Sequence, residues 1–166
     1  MYFMITFIPI LYGIRNLSKY SSIVANDWGK DLANHFPQKI PNNVKNVKFI
    51  YRAGFMQGGA FIQLCYSTTP EEICKLHERF SKIKTKSFWG GGKYDHMKPT
   101  TYFYNGDMTP ASFPKDYEIM IFDWIPSEKE IKKRGISINS SPNHGKSHGV
   151  AISKKRNIIV YWAESW

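Results

Sequence analysis

The chain has 166 residues, 42% hydrophobic and 16% aromatic, with 23 basic and 13 acidic side chains for a formal charge of +10. That length suits one domain able to bury its own core, and the apolar and aromatic content excludes an intrinsically disordered chain. Two cysteines, Cys65 and Cys74, exclude a disulfide framework.

Met1 to Ile14 form an uncharged run ended by Arg15. A helix crossing a bilayer needs roughly 20 apolar residues, so the run is too short to span unaided. Its length fits the apolar core of a secretory signal, about 7–15 residues, but no basic residue precedes it. Leu11-Tyr12-Gly13-Ile14 resembles a lipoprotein cleavage box with Ile14 in place of the acylated cysteine. Two readings remain: a signal- or anchor-like segment over residues 1–16, or a buried first element. Residues 17–166 then form a single α+β domain.

Tyr20 to Phe36 reads as a helix, because Val24, Trp28, Leu32 and Phe36 recur on one face. Pro37 stops it. Val47, Phe49 and Tyr51 alternate with Lys48, Ile50 and Arg52, as a half-buried strand does. Ala60 to Tyr66 is a second strand, paired with the first as a hairpin across Gly58-Gly59. Thr69-Pro70-Glu71-Glu72 opens a helix: Thr69 caps it, and Pro70 suits the first helical position. That helix runs to about Ile83, with Ile73, Leu76 and Phe80 inward.

Ser87 to Pro99 reads as a loop around Gly90-Gly91-Gly92. Thr100 to Tyr104 is a strand, and Asn105-Gly106-Asp107 a turn. In the strand Tyr117 to Asp123, Ile119 and Ile121 face away from Met120 and Phe122. Ser127-Glu128-Lys129-Glu130 opens a short helix ended by Gly135. His148 to Ser153 and Ile158 to Ala163 form a terminal hairpin around Lys154-Lys155-Arg156-Asn157. Chain ends fray unless tied down, so the tryptophan-bearing last strand belongs in the sheet with Trp162 inward. The expected fold is α+β: a mainly antiparallel sheet of about six strands, two or three helices on one face, and a helix–strand–strand rhythm.

Several constellations bear on chemistry. His144 and His148 lie four apart on a glycine-rich loop, with Asp95 and His96 as further zinc ligands. Together these four define a small metal-dependent hydrolase as one reading. Trp89, Gly90, Gly91, Gly92, Lys93, Asp95 and His96 form a candidate ligand-binding loop in which the glycine amides can cradle a phosphate, although the Walker spacing is missing. Asp116 and Glu118 are a possible acid–base pair or a solvated strand face. Cys65 and Cys74 are either one bridge or two buried thiols.

Cations and aromatics interleave from Lys84 to Trp89 and again at Lys93-Tyr94, the pattern of a single-strand nucleic-acid platform without its specific motifs. The positive excess is dispersed: seven basic against two acidic residues over 1–60, seven against five over 61–110, and nine against six over 111–166. Dispersed charge favours anionic surfaces generally, whether lipid, nucleic acid or acidic protein.

The preferred expectation is a non-catalytic binding module without a cofactor. It would be exported or membrane-associated and would meet a protein or anionic surface through a basic, aromatic-rich face. The metal-dependent hydrolase and a cytoplasmic nucleic-acid binder are the alternatives. The apolar start is checked by fractionating cells that express the full chain or one beginning at Ser18. An anchor predicts that the membrane-bound fraction disappears with residues 1–17; identical soluble distributions count against it.

Overall fold

The structure, a computed structural model, describes residues 15–26, 30–54, 59–91, 103–104, 110–111, 113–125 and 145–165. A short 3-10 turn, Leu17–Lys19, leads into helix α1 (Tyr20–Asn26) and then α2 (Lys30–Ala33). Strands β1 (Lys45–Arg52) and β2 (Ala60–Ser67) precede helix α3 (Pro70–Ser81). The remaining strands are β3 (Lys86–Trp89), β4 (Phe103–Tyr104), β5 (Pro110–Ala111), β6 (Glu118–Ile125), β7 (Lys146–Ser153) and β8 (Ile158–Ser165). Six of them form one sheet in the order β1-β2-β8-β7-β6-β3, antiparallel at every pairing, while β4 and β5 pair with each other. The α+β expectation is met, with a mainly antiparallel sheet.

The described helices pack on one face of the sheet. Tyr20, Ile23 and Val24 of α1 join Ile73, Leu76 and Phe80 of α3 against Leu64, Val150, Ile152 and Tyr161 of the sheet. The opposite face carries a second core: Trp162, Val160, Ile119 and Ile121 beneath Phe113 and Tyr117, which lie just before β6. The alternation expected in β6 holds, because Met120 and Phe122 belong to the helix-side core and Ile119 and Ile121 to the other.

β8 sits between β2 and β7 and is covered on both faces, so it reads as an almost unbroken apolar run. Tyr161 points to the helices, where its hydroxyl and that of Tyr66 hydrogen-bond at 2.9 Å. Trp162 points the other way and is fully buried. Gly149 on β7 makes room for it: a side chain there would meet the Trp162 ring and the Met120 carbonyl. The four-residue turn after β7 is clamped by Asp116, which accepts from Ser153 Oγ at 2.6 Å and from Arg156 Nε and a terminal guanidinium nitrogen at 2.8 and 3.0 Å. Asn157 completes the turn in the left-handed region, with φ of 55°.

Three local expectations change. The helix expected over Tyr20–Phe36 ends earlier, at Ala33, and Phe36 lies on the turn that follows, its backbone N–H donating to the Ala33 carbonyl at 3.0 Å. Periodicity overshoots here because Val24, Leu32 and Phe36 all reach the core, although Phe36 is not helical. Tyr20 anchors the start of α1 by donating to the Pro37 carbonyl at 2.6 Å.

The start of the loop placed at Ser87–Pro99 is strand: β3 pairs with β6, and half-buried Phe88 packs on the second core. Cys65 and Cys74 are both free, and Cys74 is exposed rather than buried. They sit on opposite sides of the sheet, since Cys65 belongs to the second core while α3 covers the first. The helix at Ser127–Gly135, the Asn105–Asp107 turn and residues 1–14 lie outside the described residues.

Burial on this scale sets a stability expectation. Trp162→Ala removes a fully buried indole from the central strand and should cost about 3–5 kcal/mol in chemical denaturation. Leu17→Ala, at a residue 42% exposed, should stay within about 0.5 kcal/mol of wild type.

Candidate functional site at a strand bulge

The register of β6 on β7 slips between Ile121 and Asp123, after which Asp123 stands opposite His148. A bulge of this kind turns two successive residues toward one face and re-aims their side chains. Phe122 and Asp123 are thereby brought beside His148 on the helix side of the sheet. Phe122 lies 5.9 Å from the His148 ring, centroid to centroid.

His35, on the turn after α2, closes the group from above. Its ring centre is 5.3 Å from that of His148, with 36° between the planes. Phe36, Phe122 and Tyr161 surround it at 4.6, 5.2 and 6.2 Å. His35 Nε2 lies 3.0 Å from the Trp162 carbonyl. A carbonyl only accepts, so Nε2 carries the proton and Nδ1 keeps a bare lone pair. The Nδ1 atoms of both His35 and His148 are buried and without a hydrogen-bond partner.

Burial pushes the His35 imidazole down to about 3, and the neighbouring His148 pushes the same way; the Trp162 and Gly149 backbone groups draw it upward. Burial also lowers His148, against the pull of the Asp123 carboxylate. Both rings are therefore neutral at pH 7, the form that offers a lone pair.

Two other groups of titratable side chains stand apart from this one. Glu118 accepts from Lys84 Nζ at 2.7 Å and pairs with His77 Nε2 at 2.8 Å, and Lys84 also donates to Ser87 at 3.0 Å. Burial raises the Glu118 carboxyl, but the Lys84 and His77 hydrogen bonds outweigh it and hold it below the usual range. The sequence-based pairing of Asp116 with Glu118 is not found: Asp116 serves Ser153 and Arg156, whereas Glu118 serves His77 and Lys84. On the face opposite the described helices, Glu164 is half-buried and pushed up to about 7 by burial, against the opposing charge of Arg52.

The residues expected to form a site are distributed as follows. Trp89 is 64% exposed on β3. The amides of Gly90 and Gly91 donate to the Tyr117 and Phe113 carbonyls, so those two are spent within the protein rather than turned toward a phosphate. Gly91 has φ of +79°, which an L side chain rarely adopts.

Gly92, Lys93, Asp95, His96 and His144 lie outside the described residues. His148 is described, and it faces His35 and Asp123. No sequence signal marked His35, because a lone histidine before Phe36-Pro37 has no motif. Among the described residues, no group of three His, Cys, Asp or Glu side chains is arranged to hold a metal, and no helix is long and apolar enough to cross a membrane.

What these features define is a class by architecture: an α+β protein on a six-stranded antiparallel sheet. The chain matches no protein-family model, no curated protein and no solved structure at significance.

Glu164 makes stability depend on pH. Its folded-state value of about 7 exceeds the ordinary 4.5, so between those pH values the folded chain binds more protons than the unfolded one. Stability falls as pH rises through that window. Glu164→Gln should flatten the slope and gain on the order of 1–2 kcal/mol at pH 8, partial water access trimming the full value. Urea melts at pH 5 and pH 8 check this; an unchanged difference between them counts against it.

Proposed function

We propose that the protein is a non-catalytic binding module that meets an anionic membrane surface through the rim formed by the end of α3 and by β3. The observation that carries this reading is Trp89, 64% exposed on the edge strand, with Ile83 54% exposed at the end of α3. Large apolar side chains left in water at one edge mark interaction surfaces. Arg79, Lys82, Lys84 and Lys86 flank them. Glu78 and Glu118 neutralise part of this charge by pairing with Lys82 and Lys84.

A tryptophan beside lysines suits the headgroup layer, where the indole sits at the boundary. Each cation near an anionic leaflet contributes about 1 kcal/mol. The uncharged run over residues 1–14 agrees with an exported or membrane-associated placement. Aromatic rings beside cations also suit nucleic acid, and the test separates the two.

Co-sedimentation of the full chain with phosphatidylserine-containing vesicles, neutral vesicles and a single-stranded oligonucleotide provides that test. The expected result is binding to anionic vesicles that weakens with salt, and an affinity reduced about 5-fold or more in Trp89→Ala. Equal binding by Trp89→Ala, or affinity for the oligonucleotide without affinity for vesicles, overturns the proposal.

A further inference from the structure

We propose that His35 and His148 form a binding site for a late first-row divalent transition-metal ion, Zn²⁺ or Cu²⁺, ligated through the two Nδ1 atoms. Buried polar atoms are nearly always hydrogen-bonded, so two unpartnered nitrogens on adjoining rings call for an explanation. A single unpartnered atom is unremarkable in a protein. Two on imidazole rings whose centres lie 5.3 Å apart are close enough to serve one ion.

The hydrogen bonding is also that of a ligating histidine. Such residues donate their second ring N–H to a backbone carbonyl or carboxylate, which fixes the tautomer and the ring plane. His35 donates Nε2–H to the Trp162 carbonyl at 3.0 Å, on the central strand of the sheet. The ring spacing agrees as well. With metal–nitrogen bonds of about 2.1 Å and a tetrahedral angle, two imidazole ring centres on one ion lie about 5.2 Å apart. The observed separation is 5.3 Å.

The surroundings suit a cation held by neutral ligands. Asp123 is the cross-strand neighbour of His148, and the bulge places it on the same face. Its carboxylate offsets part of the ion's charge without belonging to a three-ligand group. With two histidine nitrogens as its protein ligands, the ion is held less tightly than in a four-ligand site. The site is thus a moderate-affinity one rather than a structural zinc centre. Imidazole suits zinc and copper, whereas magnesium and calcium prefer oxygen donors.

The pairing departs from the His144 and His148 set suggested by the sequence. His35 is supplied by the distant turn after α2, and it enters on the helix side of the sheet where His148 already points. The inference is independent of the membrane-binding proposal, because it concerns the interior between α2 and β7 rather than the Trp89 rim.

Calorimetric titration of the metal-free full chain with Zn²⁺ and Cu²⁺ tests the site, with Mg²⁺ as control. One ion per chain is expected, with Zn²⁺ affinity in the micromolar range and none for Mg²⁺. His148→Gln, at a half-buried position, should weaken Zn²⁺ binding about 10-fold or more, and His77→Gln should leave it unchanged. Imidazole ¹⁵N spectra give a second reading that does not need the variants: Zn²⁺ should shift the Nδ1 resonances of His35 and His148. Absence of Zn²⁺ and Cu²⁺ binding, equal affinity in His148→Gln, or shifts confined to other histidines would overturn the proposal.

Discussion

Everything described here depends on β8 being covered on both faces. Its neighbours β2 and β7 satisfy its backbone, and its side chains divide between two cores. Tyr161 meets the helices and Tyr66, while Trp162 fills the opposite core with Phe113. Apolar burial is worth about 25 cal/mol per Å², so the two large aromatics on this strand rank among the larger single contributions to the packing of the sheet. Gly149 follows from the same constraint, since the Trp162 ring takes the space a side chain would need. So does the His35 tautomer, because the acceptor of its N–H is the Trp162 carbonyl.

Polar groups held near this core are few, and their treatment differs. Asp116 is answered by a hydroxyl and a forked guanidinium, and Glu118 by a lysine and a histidine. These ion pairs tie turns and edges to the sheet: Asp116 holds the β7–β8 turn, and Glu118 holds the segment between α3 and β3. The histidine pair at the bulge is different because its Nδ1 atoms have no such answer. Leaving a buried acceptor unmet costs about 1–3 kcal/mol, which a fold retains only where it is offset. A bound ion supplies that offset in the proposal above.

The two edges of the sheet are also handled differently. β1 exposes Lys45, Lys48 and Arg52 and is disrupted by a bulge near Asn46, whose φ is 52°. Charge and a bulge on an edge strand discourage pairing with another chain. β3 is short and presents Trp89 instead. This asymmetry is the ground on which the binding proposal is placed at the β3 rim rather than on the net charge.

Much of the fold was legible in the residues. The cap at Thr69, with its side chain accepting the Glu72 amide at 3.3 Å, and the inward face of Ile73, Leu76 and Phe80 are local, and local rules find them. The alternation in β6 and the buried terminal hairpin are likewise encoded within a few residues. β3 was missed because its pairing depends on a partner remote in sequence, and the end of α2 at Ala33 because the apolar periodicity continues to Phe36 on the turn beyond it. The candidate site was legible only in part: Trp89 and His148 stood out by type and context, whereas His35, Asp123 and Glu164 did not.

The sequence by itself therefore determined most of the element types, their buried faces and the cationic excess. Only the tertiary structure decided that β8 lies between β2 and β7, that the bulge after Ile121 turns Asp123 to the side of His148, and that His35 arrives above them. The physical reason is range. Hydrophobic period and capping act over a few residues, whereas strand order and register are settled by whichever pairing buries both faces of the sheet at once.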